Sequence, residues 1–294
     1  MLLLAQLIVN GVYIGSVYAM LGLSFATIFA TTKTWHFAQG AVYSIAAYAI
    51  LGLGLMPGLP LVVVVLGAAA VAAAAGILCQ LALYRPLRAR QASPLVVVMG
   101  SLGLMVVVEN LLALVFGPSG FSLALELPPP LLVAGVVVSP AQLWAPLVAL
   151  VVTLVFLAFL SRTVLGQQLR ALVVDEELLR LNGVETERLK LWAFAIGSAM
   201  LAVPAALLMA SGAGVSPYIG IPAVLTGAMA LFLGGVDSFA GAALGGLAIG
   251  VVENVSVWLI PTEWQTAITY ALLLLFLMLR PTGLMGRRLR QSAV

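Results

Sequence analysis

Charge is what this sequence has least of: only 8% of its 294 residues are Asp, Glu, Lys or Arg. A soluble domain carries about 25%, so the chain has too little polar surface to be a water-soluble globule. Cysteine is nearly absent. The single Cys79 excludes an internal disulfide and lies in an apolar run, where cysteine behaves as a small packing residue. Histidine is as scarce. His36 has no nearby Cys or acidic partner, and one imidazole does not make a metal site; an interfacial or packing role is expected for it. Some motifs are missing altogether. No G-x-x-x-x-G-K-S/T loop is present to bind ATP, and neither H-E-x-x-H nor G-x-S-x-G occurs. No nucleophile is paired with a base. The alternating pattern of barrel strands is absent too, which leaves helices as the way to satisfy the backbone in lipid.

Apolar residues are what the chain has in abundance: 63% of the total, with a mean hydropathy of +1.20. They fall into stretches near the ~20 residues needed to cross a bilayer. Nine spans are predicted, at 6–30, 36–56, 61–83, 94–116, 141–160, 191–211, 222–236, 240–258 and 264–280, with eight or ten as alternatives. The expected fold is an all-α polytopic membrane protein with one transmembrane domain over 1–294. The N-terminal MLLLAQLIVNG has no basic region before its apolar run and reads as the start of span one. Pro217, Pro222, Gly234 and Gly235 predict short, broken or re-entrant spans around 212–245. In the loop at 117–140, short apolar runs alternate with turn residues, which predicts a small hairpin.

The basic residues give the topology. Lys33 lies between spans one and two, and Arg85, Arg88 and Arg90 follow span three. Arg162, Arg170, Arg180, Arg188 and Lys190 follow span five, and Arg280, Arg287, Arg288 and Arg290 follow span nine. Nine spans put all four groups on one side, while the opposite loops hold no Lys or Arg. The positive-inside rule then predicts the N-terminus outside and the C-terminus in the cytoplasm. Trp35, Trp144, Trp192, Trp258 and Trp264 all lie at predicted span ends, as an aromatic belt requires.

Small and polar residues inside the spans are informative. Gly11 and Gly15, Gly241 and Gly245, and Gly246 and Gly250 are pairs at four-residue spacing, a pattern that lets helix backbones approach closely. Tight packing within one bundle is expected from them, with self-association as the alternative. Glu109 and Glu253 are the ionisable residues within spans, each in a Val-Glu-Asn triplet ending in Asn110 or Asn254. A carboxylate at a helix centre costs roughly 2.5–3.5 kcal/mol on insertion scales, so it faces a cavity or a partner. These four residues and Gln39 are candidates for a polar lining, or alternatively for interhelical hydrogen-bond clamps.

One stretch, RALVVDEELLRLNGVETERLK at 170–190, stands apart: nine charged residues in 21. Those charges cannot lie in lipid. Their near balance excludes a polybasic lipid anchor. Asp175 can cap a helix from about 176 to 181, and Asn182-Gly183 can end it. Leu178, Leu179 and Leu181 leave apolar side chains on so short a helix.

Several motifs together resemble a known family. YRPLR (Tyr84 to Arg88), LGGVDSFAGAALGG (Leu233 to Gly246) and RPTGLMG (Arg280 to Gly286) are similar to the permeases of branched-chain amino acid ABC importers. NGVYIGSVYAMLGLSFATIF resembles that family's first span, and FAQGAVYSIAAY its second. The segment with Gly166, Arg170, Asp175, Leu181, Gly183 and Val184 resembles its cytoplasmic coupling region. The chain departs from the family's usual Asn-Phe-Ala-His-Gly at His36 to Gly40. It departs again at Ala199 to Pro204. The resemblance implies half of a translocation path in the inner membrane for branched-chain amino acids, or else for urea, amides or other small polar solutes. It implies a second homologous permease subunit, two cytoplasmic ATPases that carry the ATP and Mg, and an extracytoplasmic binding protein; no cofactor is expected in this chain, no nucleic acid, and lipid around it. On this reading 161–190 is the coupling region. Arg170, Asp175, Glu176, Glu177, Leu178, Leu181 and Gly183 dock on the ATPase, with apolar residues in a groove and charges at the rim. An ion-coupled carrier using Glu109 and Glu253 and an intramembrane enzyme are the competing classes; the first would have no need of 167–190, and the second lacks a catalytic pair.

With Cys79 replaced, a cysteine at Ser122 is expected to label from outside, and one at Ser292 only after the membrane is opened. Labelling of both from the same side would refute the nine-span topology.

Overall fold

The computed structural model describes residues 2–121, 129–133 and 135–286. Ser122, Ser292, Arg287, Arg288 and Arg290 lie outside the described residues. The helices are α1 (Leu2–Thr32), α2 (Gln39–Gly54), α3 (Leu61–Cys79), α4 (Arg85–Ala89), α5 (Pro94–Phe116), α6 (Pro140–Arg162) and α7 (Val164–Val174). They continue with α8 (Glu176–Leu181), α9 (Thr186–Met200), α10 (Ala202–Ala210), α11 (Gly220–Gly234), α12 (Phe239–Ser256) and α13 (Gln265–Leu279). A π-turn, Gln80–Tyr84, joins α3 to α4, and α10 continues α9 after a break at Leu201. The starts follow local chemistry. Ser93 and Ser139 cap α5 and α6 ahead of a proline, Thr163 caps α7 and Ser238 caps α12. The hairpin expected at 117–140 is present as β1 (Leu131–Val133) antiparallel to β2 (Val136–Val138).

Six helical stretches are long and apolar enough to cross a membrane: Leu2–Thr32, Leu61–Ala89, Pro94–Phe116, Pro140–Arg162, Thr186–Ala210 and Phe239–Ser256. The other three predicted spans are helical but shorter. α2 has 16 residues, and α11 and α13 have 15 each. At 1.5 Å per residue that is about 22–24 Å, less than the ~30 Å hydrocarbon thickness.

α1 is the central post, buried almost continuously from Gly11 to Thr31. α12, α11, α9 and α6 surround it. α3, α5 and α6 lie outside, with apolar side chains such as Leu66, Leu114 and Val155 exposed as a lipid-facing surface. The glycine faces predicted from spacing close the centre. A Cβ on Gly15 would come 2.6 Å from the Leu247 carbonyl oxygen, and Gly250 lies directly on the Gly15 backbone. Gly241 and Gly245 meet Gly234 and Ala230 of α11, and Gly11 meets Val251 and Asn254. Among the described residues, then, these glycines serve contacts within one chain.

Polar contacts sort the bundle into two ends. Lys33 pairs with Asp237 (3.0 Å) and Arg88 with Glu187 (3.5 Å) at one. At the other, Gln6 bonds Val137 of the hairpin, Gln142 donates to Asn10 (2.7 Å) and Phe121 pairs with Val215. Trp144, Trp192, Trp258 and Trp264 are exposed, as a belt requires, but Trp35 is not part of it. It packs inside against Phe25, Phe29, Phe37 and Phe232, because the chain turns inward after α1.

Gly15→Leu is expected to force α1 and α12 apart, costing about 1–3 kcal/mol or more. Gly103→Ala, where a Cβ meets nothing within 4 Å, is expected to be neutral. Thermal unfolding of the detergent-purified chain distinguishes the two.

Candidate functional site: a junction of broken helices and a charged end

After α1 the chain reverses at Lys33, which adopts φ +51°. His36 and Gln39 then enter the interior, where both are buried. His36 Nδ1 is 2.7 Å from the Tyr84 hydroxyl. Gln39 Nε2 donates to Ser24 Oγ (2.7 Å), which donates to the Gly197 carbonyl (2.6 Å). Ser24 lies eight residues before the end of α1, about 12 Å back along it. The link 33–38 therefore climbs into the bundle before α2 begins. A second link does the same from the opposite end. Val215 pairs with Phe121, Ser44 donates to the Pro217 carbonyl (3.1 Å), and α11 begins at Gly220 deeper along α2.

The two helix N-termini meet. A Cβ on Gly40 would lie 2.7 Å from the Gly220 carbonyl oxygen, and one on Gly220 would lie 2.6 Å from both Gly40 and Glu109 Oε1. Only glycine allows this contact. The buried Glu109 carboxyl thus sits beside the point where the N-termini of α2 and α11 converge. Its Oε1 has no donor partner among the described residues, so it can still accept a hydrogen bond.

At the charged end a network positions the stretch singled out by its charges. Lys190, almost wholly buried, bonds Glu176 (2.7 Å) and Glu187 (3.1 Å). Glu176 also holds Arg180 and Thr186, and Glu187 reaches Arg88 of α4. Asp175 Oδ1 accepts from Leu178 N–H (2.9 Å), and Gly183 adopts φ +78° after Asn182, so α8 starts and stops as predicted. With the α8 backbone fixed, Val174 is 84% exposed, Leu178 57% and Leu181 80%. Arg170, Asp175 and Glu177 are exposed beside them.

Two of the recognised motifs bind each other. Leu284 N–H donates to the Leu233 carbonyl (2.8 Å) and Met285 N–H to that of Gly234 (2.9 Å). The turn after Arg280 latches onto the end of α11, and Gly235 and Gly283, both at positive φ, make room for it.

The candidate lining residues do not share one site. Gln39 and Glu109 flank the Gly40–Gly220 contact. Asn110 points outward from α5 and donates to its own helix at Val106. Asn254 donates to Gly250 and packs on Gly11, and Glu253 is half-buried beside it on α12. The repeated triplet therefore serves two environments, because α5 and α12 turn different faces to the bundle. Lys190, Arg88, Tyr84 and Gly220 are positioning residues that the sequence did not single out. The three-residue spacing of Glu187 and Lys190 was a visible signal; nothing local links Arg88 to Glu187, 99 residues away.

The fold defines a class: a mostly helical membrane protein in which two stretches of irregular backbone reach into the bundle, a feature of helical transporters. Comparison with known proteins narrows it. Residues 7–277 match the family model described as "Branched-chain amino acid transport system / permease component". The high-affinity branched-chain amino acid transport system permease protein LivH of Escherichia coli (strain K12) is 31% identical over 300 residues, 96% of this chain and 95% of that one. The corresponding permease protein BraD of Pseudomonas aeruginosa is 31% identical over 307 residues, again 96% and 95%. The xylose transport system permease protein XylH of E. coli (strain K12) is 38% identical over 125 residues, 39% of this chain and 31% of that one. The chain belongs to the branched-chain amino acid transport system permease family and is a membrane-embedded permease.

Burial raises the Glu176 carboxyl pKa, but the Lys190 hydrogen bond and the nearby positive charges outweigh it and hold the group below its ordinary value. A depressed carboxylate pKa means the stabilisation is present above the unfolded value near 4.5 and is lost as pH falls through the folded value. Hydrogen-exchange protection across 176–190, taken relative to the intrinsic amide rate at each pH, is expected to fall between pH 6 and pH 3. Lys190→Met is expected to flatten that step.

Proposed function

We propose that this chain is the transmembrane subunit of an ABC importer for branched-chain or related small amino acids. It forms half of the path, beside a second homologous permease. Two ATPase subunits bearing ATP and Mg drive it from the cytoplasm, and an extracytoplasmic binding protein feeds it. On this reading the protein lies in the inner membrane with nine spans. The charged end is cytoplasmic, and the hairpin and N-terminus face outward. Similarity to LivH and BraD over 96% of the chain supports the substrate class. The path runs past the junction of α2 and α11, where Gln39 and Glu109 offer polar atoms to a solute between helices otherwise lined by apolar groups. The alternation of access follows movement of these short helices against the α1 post.

The observation that carries the coupling reading is the exposed trio of Val174, at the end of α7, with Leu178 and Leu181 on α8, which the buried Lys190 holds through Glu176. Apolar side chains presented so rigidly to water fit a groove on an ATPase, and Arg170, Asp175, Glu176 and Glu177 lie on or near the rim.

Leu178→Asp with Leu181→Asp is expected to leave the permease in the membrane while uptake and substrate-stimulated ATPase activity fall together. The fall is at least about tenfold, the effect of losing about 1.4 kcal/mol. Gly183→Pro, which removes both the positive φ and the N–H that bonds Arg180, is expected to do the same. Full stimulated activity in both variants would assign the coupling elsewhere.

A further inference from the structure

Beside the docking helix the charged end holds a pocket of about 270 Å³ lined by Gln80, Arg85, Glu185, Glu187, Arg188 and Leu191. It lies just below the roughly 300–1,000 Å³ of sites for drug-sized ligands, a size suited to a smaller solute. Gln80 is 1% exposed, and neither its Nε2 nor its Oε1 has a hydrogen-bond partner among the described residues. An amide buried in that way carries a free-energy penalty that an occupant removes. Gln80 begins the π-turn, and such turns are frequent at functional sites.

The lining specifies the occupant's chemistry. Two guanidinium groups and two carboxylates face one space. Arg188 is engaged by Glu185 (2.6 Å), and Glu187 by Lys190 and Arg88, while Arg85 makes no ion pair among the described residues. A simple anion would meet two carboxylates, and a simple cation two guanidiniums. A solute carrying both charges close together meets complementary groups for each. An α-amino acid satisfies the set: its carboxylate takes Arg85 and the Gln80 amide N–H, its ammonium takes Glu185 and the Gln80 carbonyl oxygen, and an aliphatic side chain lies on Leu191.

Position adds a consequence. The pocket spans the π-turn before α4 and the start of α9, the two elements that the Arg88–Glu187 pair joins. Leu191 follows Lys190, which holds α8. We propose that this pocket binds free amino acid on the charged side of the membrane and that occupancy, by bracing α4 against α9, slows ATP-driven uptake. The inference rests on the amino-acid importer reading and adds product feedback to it. A phosphoethanolamine headgroup carries the same pair of charges, so the source must be tested.

The complete transporter, with its ATPases and binding protein, is reconstituted in phosphatidylcholine vesicles with ATP inside. Uptake of labelled leucine into vesicles without internal leucine first tests the importer reading; no uptake overturns that reading and the inference with it. Internal leucine is then expected to slow the initial rate of uptake and of ATP hydrolysis several-fold. Arg85→Gln and Gln80→Leu are expected to keep the uninhibited rate and lose the slowing. Arg85 is exposed, so its variant keeps the test valid even where Gln80→Leu fails to fold. Leucine binding to the complex without its binding protein is expected to weaken in parallel. Wild-type transport indifferent to internal leucine overturns the proposal, as does slowing that persists in both variants. A response to added phosphatidylethanolamine in place of leucine overturns it too and gives the pocket to a lipid.

Discussion

In lipid a backbone amide outside a helix has no water to bond, and this constraint governs the arrangement of the rest of the chain. Two links leave helical geometry inside the bundle, at 33–38 and 211–219. Their buried parts, His36 and Ala38 in one and Val215 and Pro217 in the other, are supplied with bonds: Ser44 to the Pro217 carbonyl, Ser101 to that of Trp35, and turn bonds from Gln39 and Gly40 back to His36 and Phe37. The buried parts pack against a close-packed centre. α1 provides it by lying backbone to backbone on α12 through Gly15 and Gly250. Side chains at those contacts would hold the helices apart and open the interior.

The same centre connects to the charged end. From Gln39, polar contacts run through His36 to Tyr84, along one helical turn to Arg88, and on to Glu187, Lys190 and Glu176. The steps are the turn bond from Gln39 to His36, side-chain contacts and the helical turn from Tyr84 to Arg88. The junction of α2 and α11 and the α8 segment are thus joined by a continuous run of contacts, with the latch of 280–286 on α11 beside it. A family signature spread over distant segments has a physical cause here, since Leu233–Gly235 and Thr282–Gly286 are halves of a single contact.

Much of this was legible from local chemistry. Nine apolar segments form helices because nothing in them can pay for burial of an open backbone. Asp175 and Gly183 delimit α8 because capping and positive φ depend on a few adjacent residues. Glycine spacing on α1 and α12 announced close packing. The candidate lining was legible only in part. Gln39 and Glu109 are buried polar residues, as expected, yet Asn110 and Asn254, which both end a Val-Glu-Asn triplet, face the exposed outer surface and α1 respectively. A triplet says what a helix carries and not which way it is turned.

Composition and charge placement by themselves determined the class of protein, the apolar helical segments, the segregation of basic residues and the bounds of α8. All of these follow from transfer free energies and from interactions within one or two helical turns. Tertiary structure alone decided that Gly40 meets Gly220 under Glu109, that Trp35 packs inward, that Arg88 holds Glu187, and that Gln80 lines a pocket of mixed charge. These pairings join residues separated by tens to hundreds of positions, and their geometry depends on the rotation of each helix about its own axis. That rotation is settled only when every helix packs against the others at once.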